Sequence, residues 1–262
     1  MGTWGSALTS DEFAAIRTAG FEPVGQVFGA AVYGAAPASG GCPGAWGSFG
    51  PLVQARYQAR HAAIDRMAAE CARLEGHGVA GVRLTLGDYA LGGVEFRAIG
   101  TAVRVPGVAC GNHAPFTSDV SGQDFAKLIS MGWIPVGLVL GISIGGRHDD
   151  RATNRQARWW SGNAEIGGWT ELVNRCRRDA RYQLEADVRR LGADGVVIAA
   201  MRMRVRERDC PVTVGRHDHI VEATLIGTAI VRFSPASQPA ATPALAVMSL
   251  DPQRRQAARV RM

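Results

Sequence analysis

FAAIRTAGFEPVGQVFG at residues 13–29 is repeated, with substitutions, as FAKLISMGWIPVGLVLG at residues 125–141, 112 residues further along the chain (125 − 13). A second pair of similar segments follows, because AIGTAV at residues 98–103 corresponds to LIGTAI at residues 225–230. A repeat of this length is the size of a domain rather than of a solenoid unit. The sequence therefore predicts a tandem duplication, and any site proposed in one half can be compared with its counterpart in the other.

Both repeats show the same order of predicted elements. A short helical lead-in begins at a capping residue and ends at glycine, an apolar strand and a long loop follow, and then come a long helix and a hairpin. The predicted ranges are 10–19 and 121–131 for the lead-in helices, 24–32 and 136–144 for the strands, 34–51 and 145–168 for the loops, and 79–86 with 94–105 and 196–206 with 220–233 for the hairpins.

The long helix of each repeat carries a single apolar stripe. Ile64, Met67 and Cys71 recur at spacings of three and four, as do Cys176 and Ala180 in the second repeat. Such a stripe covers one face of a sheet. We therefore expect an α+β fold of two tandem β-α-β-β domains, each an antiparallel sheet covered by one long helix.

The predicted boundaries give one domain at residues 8–106, a linker at 107–120 and a second domain at 121–233. Residues 234–262 begin with SPASQPAATPA and finish with the basic run DPQRRQAARVRM. This composition is typical of a flexible basic tail. A short apolar segment within it, LAVMSL, makes the tail a candidate for recruiting a protein partner.

The charge and cysteine content narrow the class of protein. The 262 residues carry a net charge of +6, and Lys127 is the only lysine, but no basic cluster lies beside aromatic residues, which argues against nucleic-acid binding. The five cysteines have no CxxC spacing, and the start of the chain lacks a signal-peptide pattern, so we expect a reducing cytoplasm. The most apolar stretch, residues 133–146, is too short to span a membrane.

Three segments together resemble one known family. They are AGFEPVG at residues 19–25, GADGVV at residues 192–197 and IGTA at residues 226–229. In this combination and order the chain, over about residues 8–233, resembles the YbjQ-like family of heavy-metal-binding domains, and within it the tandem, two-domain actinobacterial-type members. The resemblance implies a dodecin-like fold and assembly into rings, pentameric in single-domain relatives. The first repeat departs from the pattern, because Gly76-His77-Gly78 replaces Gly-Ala-Asp.

The metal hypothesis rests on Cys210, His217, Asp218 and His219, which lie in the connection between the last two strands. In an extended chain the two histidines point to the same face, while Cys210 approaches across the turn; thiolate and imidazole ligands suit zinc or copper. The alternative is a polar loop with two solvated histidines, which such spacing produces more often. The counterpart connection at 87–93 has neither cysteine nor histidine. A second polar cluster, at residues 148–150, has weaker spacing still.

The hypothesis that the protein is an enzyme depends on the sequence GISIG at residues 141–145, which matches the G-x-S-x-G pattern around a nucleophilic serine. Two observations argue against this hypothesis: Ala31 takes the place of Ser143 in the first repeat, and a polar loop follows Ser143 instead of a buried helix.

We interpret the adjacent Trp159 and Trp160 as anchors that pin their long loop. We expect a non-catalytic homo-oligomer that forms a ring and binds a heavy metal or small ligand; the alternatives are a metal-free scaffold and a serine hydrolase.

Overall fold

A computed structural model describes residues 5–34, 41–89, 93–111, 113–158 and 162–233. Both repeats belong to one compact unit that ends at Arg232. The paired Trp159 and Trp160 and the tail at 234–262 lie outside the described residues, so the expectations about them stay predictions. The boundaries proposed between the two domains also stay predictions.

Each repeat contains the order strand, long helix, strand, strand, and the mixed α+β class with antiparallel sheets is confirmed. The first repeat consists of α1 (Ser10–Thr18), β1 (Glu22–Gly34), β2 (Gly47–Ser48), α2 (Gly50–Arg73), β3 (Gly78–Tyr89) and β4 (Gly93–Arg104). The second consists of β5 (Phe116–Thr117), α3 (Gly122–Ser130), β6 (Trp133–His148), α4 (Arg151–Gln156), α5 (Gly167–Arg190), β7 (Gly195–Asp209) and β8 (His217–Arg232). The short α4 lies inside the loop that the sequence left irregular. Within the described ranges, no helix has the length and apolar character needed to cross a bilayer.

The strands form two four-stranded sheets. Sheet A has the order β1-β4-β3-β5, and sheet B has the order β2-β6-β8-β7. The long strands pair antiparallel in both sheets. The two-residue strand β2 belongs to the first repeat by sequence but joins β6 of the second, through Gly47 opposite Gly146. The repeats are therefore tied together by backbone pairing as well as by side chains.

The hydrogen bonds before the lead-in helices are duplicated along with the sequence. The Thr101 hydroxyl accepts a hydrogen bond from the backbone N–H of Ala7, at 3.0 Å. In the second repeat the Thr228 hydroxyl accepts the same bond from Asp119, also at 3.0 Å. Because the same strand position fixes the same turn twice, the repeat extends from sequence to hydrogen bonding.

The core is layered, with α2 between the two sheets. On β6, Val139 belongs to a cluster with the apolar stripe of α5, whereas Leu138 and Leu140 belong to a cluster with α2. Sheet B therefore has a helix on each face. The face of sheet A that points away from α2 is covered at one end only, where Val103 packs with Ile16 of α1 and Phe125 of α3; Phe28 and Val32 on the same face of β1 are each 47% exposed.

Each long helix approaches its sheet over a glycine. A Cβ on Gly29 would lie 2.0 Å from the carbonyl oxygen of Ala63, and one on Gly141 would lie 2.0 Å from that of Ala180. Cβ atoms essentially never lie so close to a backbone oxygen. The glycines at the ends of the repeated segments are therefore required by helix–sheet contact, at the same place in both halves.

Candidate functional site

Four side chains with metal-binding chemistry converge at one end of sheet B. Their ligand atoms, two thiol sulfurs, an imidazole nitrogen and a carboxylate oxygen, all lie within 4.8 Å of one another. Cys210 and Asp218 are buried, while Cys42 and His148 are partly buried. The residues of this cluster, which we call the thiol–imidazole cluster, are Cys42, His148, Cys210 and Asp218.

Strand pairing places three of the four residues. His148 is the last residue of β6 and lies directly opposite Asp218 on β8. Cys210 follows the last residue of β7, where its N–H donates to the carbonyl oxygen of Arg216 at 2.8 Å and closes the turn into β8. The neighbouring strands β6, β8 and β7 therefore deliver these side chains to one end of the sheet.

A loop of the first repeat supplies the fourth residue, Cys42. The N–H of His148 donates to the carbonyl oxygen of Gly44 at 2.7 Å, and Arg208 on β7 donates to that of Gly41 at 2.6 Å. These two bonds, one on each side of Cys42, hold the loop against sheet B. The cluster consequently exists only where the two repeats meet.

Asp218 is the least exposed member, at 0%, and its carboxylate is only partly satisfied. Oδ1 lies 2.9 Å from Nδ1 of His148 and accepts a long contact from the Cys42 thiol at 3.9 Å. Oδ2 is 3.4 Å from Nε of Arg208, but no hydrogen bond reaches it in the described part of the chain. A buried carboxylate oxygen without a hydrogen bond costs free energy unless another group satisfies it.

The surroundings of the two thiols shift their pKa values in opposite directions. Burial opposes ionisation of Cys210, but backbone N–H groups of Val212 and Thr213 and the Cys42 thiol outweigh it and lower the pKa of Cys210. For Cys42, a backbone hydrogen bond from Gly44 lowers the pKa of the thiol. Burial and the neighbouring Cys210 and Asp218 outweigh that bond and raise the pKa. Cys210 is thus the first thiol to become a thiolate, the form that binds metals.

The Asp218 carboxylate also fixes the orientation of the His148 ring, which would ligate the metal. The hydrogen bond to Asp218 raises the pKa of His148, although burial opposes this. A carboxylate against one ring nitrogen orients the imidazole and increases its basicity. In a zinc site with sulfur and nitrogen ligands at about 2.0–2.3 Å from the ion, the ligand atoms lie about 3.3–3.8 Å from one another. The cluster fits such an ion with only small side-chain movements, and the carboxylate oxygen that lacks a hydrogen bond would face a partner.

The four residues singled out from the sequence are placed in two different groups. Cys210 and Asp218 lie in the thiol–imidazole cluster. His219 is buried on the opposite face of β8, where Nδ1 lies 3.1 Å from Oδ1 of Asp149 and its ring lies 4.4 Å from that of Trp169. His217 is 45% exposed and lies 3.2 Å from Glu207, which also approaches His219 at 3.7 Å. The two histidines do share a face, but their neighbours are carboxylates and an indole rather than Cys210.

Sequence reasoning named Asp218 together with Cys210 but missed Cys42 and His148 as their partners. The signal for His148 was present in the polar run at 148–150, but nothing in the spacing relates Cys42 to a residue so far along the chain. The alternation of β8 offered a further clue, because Asp218 must point away from its two histidine neighbours. In the first repeat the positions matching His148 and Asp218 are Ala36 and Leu91, so the site belongs to the second half and its borrowed loop.

Ser143 does not occupy a nucleophile elbow. The pattern requires serine at a sharp turn between a strand and a helix. Ser143 instead lies inside β6, which continues to His148, and it is 7% exposed. Its neighbour is the thiol of Cys176 on α5, so in this structure it is a small residue on a packed strand.

Two comparisons relate the chain to known proteins. Residues 22–106 match the YbjQ family, whose description reads "Putative heavy-metal-binding". The encapsulin nanocompartment protein Rv1762c of Mycobacterium tuberculosis (strain ATCC 25618 / H37Rv) is 36% identical over 203 residues, which cover 73% of this chain and 75% of that protein. The resemblance expected from the three motifs is therefore confirmed, and the chain belongs to the YbjQ-like family.

Proposed function

We propose that this chain is a non-catalytic assembling protein that binds one transition-metal ion, with zinc as the best fit, in the thiol–imidazole cluster. The observation that carries the proposal is the convergence of Cys42, His148, Cys210 and Asp218 within 4.8 Å. Two sulfurs, one nitrogen and one oxygen make a four-ligand set of the kind that closes a structural zinc site. Copper(I), which prefers thiolates, is the alternative ion.

Three further observations support this site over an ordinary polar cluster. Oδ2 of Asp218 is buried and receives no hydrogen bond from the described residues, the Cys210 thiol has a lowered pKa, and the family carries a heavy-metal description. A solvated loop would have no reason to bury a carboxylate at 0% exposure. The metal would add a link between the Cys42 loop of the first repeat and three strands of the second.

The test is metal content measured by elemental analysis after zinc loading and desalting. We expect about one zinc per chain in the wild type, and a loss of most of it in Cys42→Ser and Cys210→Ser. His217→Ala is the matched control, because this histidine lies close to the cluster in sequence but outside it in space. If His217→Ala and His219→Ala lose the metal while Cys42→Ser retains it, the ligand set inferred from the sequence is the correct one and the cluster is not.

The assembling part of the proposal has separate support. One face of sheet A exposes apolar residues, among them Phe28, and a relative is named for a nanocompartment. Burial of such a face against other copies removes it from water. Light scattering coupled to size-exclusion chromatography at micromolar concentration should give a mass several times the 27.8 kDa of one chain. Metal-free protein of the same mass would favour the scaffold function, in which assembly needs no ion.

A further inference from the structure

The contact between the two halves of this chain has a defined composition. The α2 helix and strand β3 form a groove, and the face of sheet B that points away from α5 lies against it. Arg56 on α2 forms an ion pair with Glu222 on β8. Leu140 on β6 is fully buried in the same contact, together with the partly buried Ile226. This contact, the intrachain interface, joins a helix–strand groove of one domain to the outer sheet face of the other.

The outer face of sheet A has the same construction, but around Phe28 and Val32 it has no partner among the described residues. On sheet B, Leu140 lies opposite Ile226; on sheet A, Phe28 lies opposite Ile99. Glu95 lies opposite Val32, four positions beyond Phe28 on β1, just as Glu222 lies opposite Ile144, four positions beyond Leu140 on β6. Because Leu140 is 0% exposed and Phe28 is 47% exposed, the duplicated position is covered in one half and open in the other.

The complementary groove is open in the second half. Met201 lies opposite Leu225 on the sheet, as Leu84 lies opposite Ala98 in the first repeat. Leu84 lines the interface, whereas Met201 is 49% exposed. We call this feature the arginine groove, and it is lined by Asn174, Arg177, Arg178, Arg181, Ile198, Met201 and Leu225.

The charges of the two open surfaces are complementary. In the intrachain interface His61 of α2 lies 3.7 Å from Asp187, the carboxylate that caps the edge of β6. Since α2 and α5 both have 24 residues, Arg178 occupies the place of His61, and Glu70 occupies the place of Asp187. The groove therefore presents a cation where the open face presents a carboxylate.

A second ion pair follows from the same correspondence. Arg177 matches Arg60, which is 8% exposed beside Glu222, and Glu95 matches Glu222. Arg97 on the open face is already paired with Glu95. The carboxylate of Glu95 would then be shared by two arginines, as Glu222 is approached by Arg56 and lies near Arg60.

We infer that the arginine groove of one copy binds the open face of sheet A of a second copy and repeats the intrachain interface between chains. This inference rests on the proposed self-assembly and specifies its geometry. The two surfaces differ, so the contact is head to tail, and such contacts generate rings when the rotation closes. Every closed ring then contains an even number of domains, because each chain contributes two. A ring of five domains, as implied for single-domain relatives, is not available to this chain.

Two substitutions test the pairing. Phe28→Glu places a charge on the open face and leaves the arginine groove intact; Met201→Glu does the reverse. We expect each variant alone to be monomeric at micromolar concentration. An equimolar mixture should form a dimer of twice the chain mass and nothing larger, because only one intact interface is available. Light scattering gives the masses, and circular dichroism checks that both variants fold. Val214→Glu, at a fully exposed turn residue, is the matched control and should assemble like the wild type.

The possible results distinguish self-assembly itself from the assignment of the two contacting surfaces. A wild-type chain that is itself monomeric contradicts self-assembly and, with it, the pairing. A wild-type oligomer that survives both substitutions contradicts only the assignment of surfaces. Variants that are monomeric alone and stay monomeric when mixed show that the contact is not head to tail between these two surfaces, which also overturns the inference.

Discussion

Asp187 holds the outer edge of β6 by accepting a hydrogen bond from the N–H of Leu140 at 3.2 Å. Glu70 accepts the equivalent bond from the N–H of Phe28 at 2.6 Å, from the same position in the other long helix. Asp187 also accepts a short hydrogen bond from the hydroxyl of Tyr57 on α2. One carboxylate therefore joins the α5 helix, the edge of sheet B and the helix of the first repeat.

Replacement of Asp187 by alanine should lower the free energy of unfolding by about 3 kcal/mol, since it leaves the buried N–H of Leu140 and the hydroxyl of Tyr57 without their acceptor. Urea denaturation followed by circular dichroism measures this. The control is Asp179→Ala, an exposed carboxylate on the same helix, which should change stability by no more than about 0.5 kcal/mol. Equal effects of the two substitutions would show that Asp187 has no special structural role.

The same carboxylate should make stability depend on pH. Burial opposes its ionisation, but hydrogen bonds from His61, Tyr57 and the Leu140 N–H outweigh burial and lower the pKa of Asp187. Because the folded-state pKa lies below the ordinary value of about 3.9, ionisation favours the folded state. The contribution is fully present above about pH 5 and is lost as the pH falls through the folded-state pKa. The stability difference between the wild type and Asp187→Asn should therefore shrink between pH 5 and pH 2, and a constant difference would contradict the lowered pKa.

Much of the fold could be predicted from the sequence, because the signals for it are local and occur twice. The glycines that end α1 and α3, the apolar strands and the helical stripes all follow from short-range periodicity, and the observed elements differ from the prediction mainly at their ends. The position of α2 between the sheets could not be predicted in this way. It depends on β6 being apolar on both faces, through Val139 and Leu140, and a continuous apolar run does not say which elements cover it.

The candidate site was less predictable, for a physical reason. Its ligands come from three strand ends and a loop of the other repeat, and only the pairing of β6 with β8 brings His148 to Asp218. Sequence spacing relates residues on one strand, as it did for His217 and His219, but carries no information about neighbours across a sheet. The sequence prediction named Cys210 and Asp218, which lie inside the cluster, but it sought their partners among nearby residues of the chain and not on the neighbouring strand or in the other repeat.

Metal binding should protect one thiol from alkylation and leave another reactive. Cys42 is partly buried within the cluster, whereas Cys110 is exposed and lies far from it in the chain. With zinc bound, iodoacetamide should modify Cys110 while Cys42 stays intact; after chelation both should react. The buried Cys71, whose pKa burial raises to about 12, should remain unmodified in either state and serves as the internal control. Peptide mass spectrometry reads each site, and equal labelling of Cys42 with and without zinc would contradict ligation by that thiol.

Alanine at Gly29 or at Gly141 should each destabilise the protein by about 3 kcal/mol or more, since the new Cβ would lie 2.0 Å from a helix carbonyl oxygen and the whole helix must move away from its sheet. Gly34→Ala, at the end of β1, is the control, because no atom of the described residues, apart from the adjacent ones, lies within 4 Å of a Cβ there. Thermal unfolding compares the three variants. If the two repeats use the same helix–sheet contact, both substitutions must lower the melting temperature; a wild-type melting temperature for either one would mean that this half accommodates the extra carbon by a route its counterpart lacks.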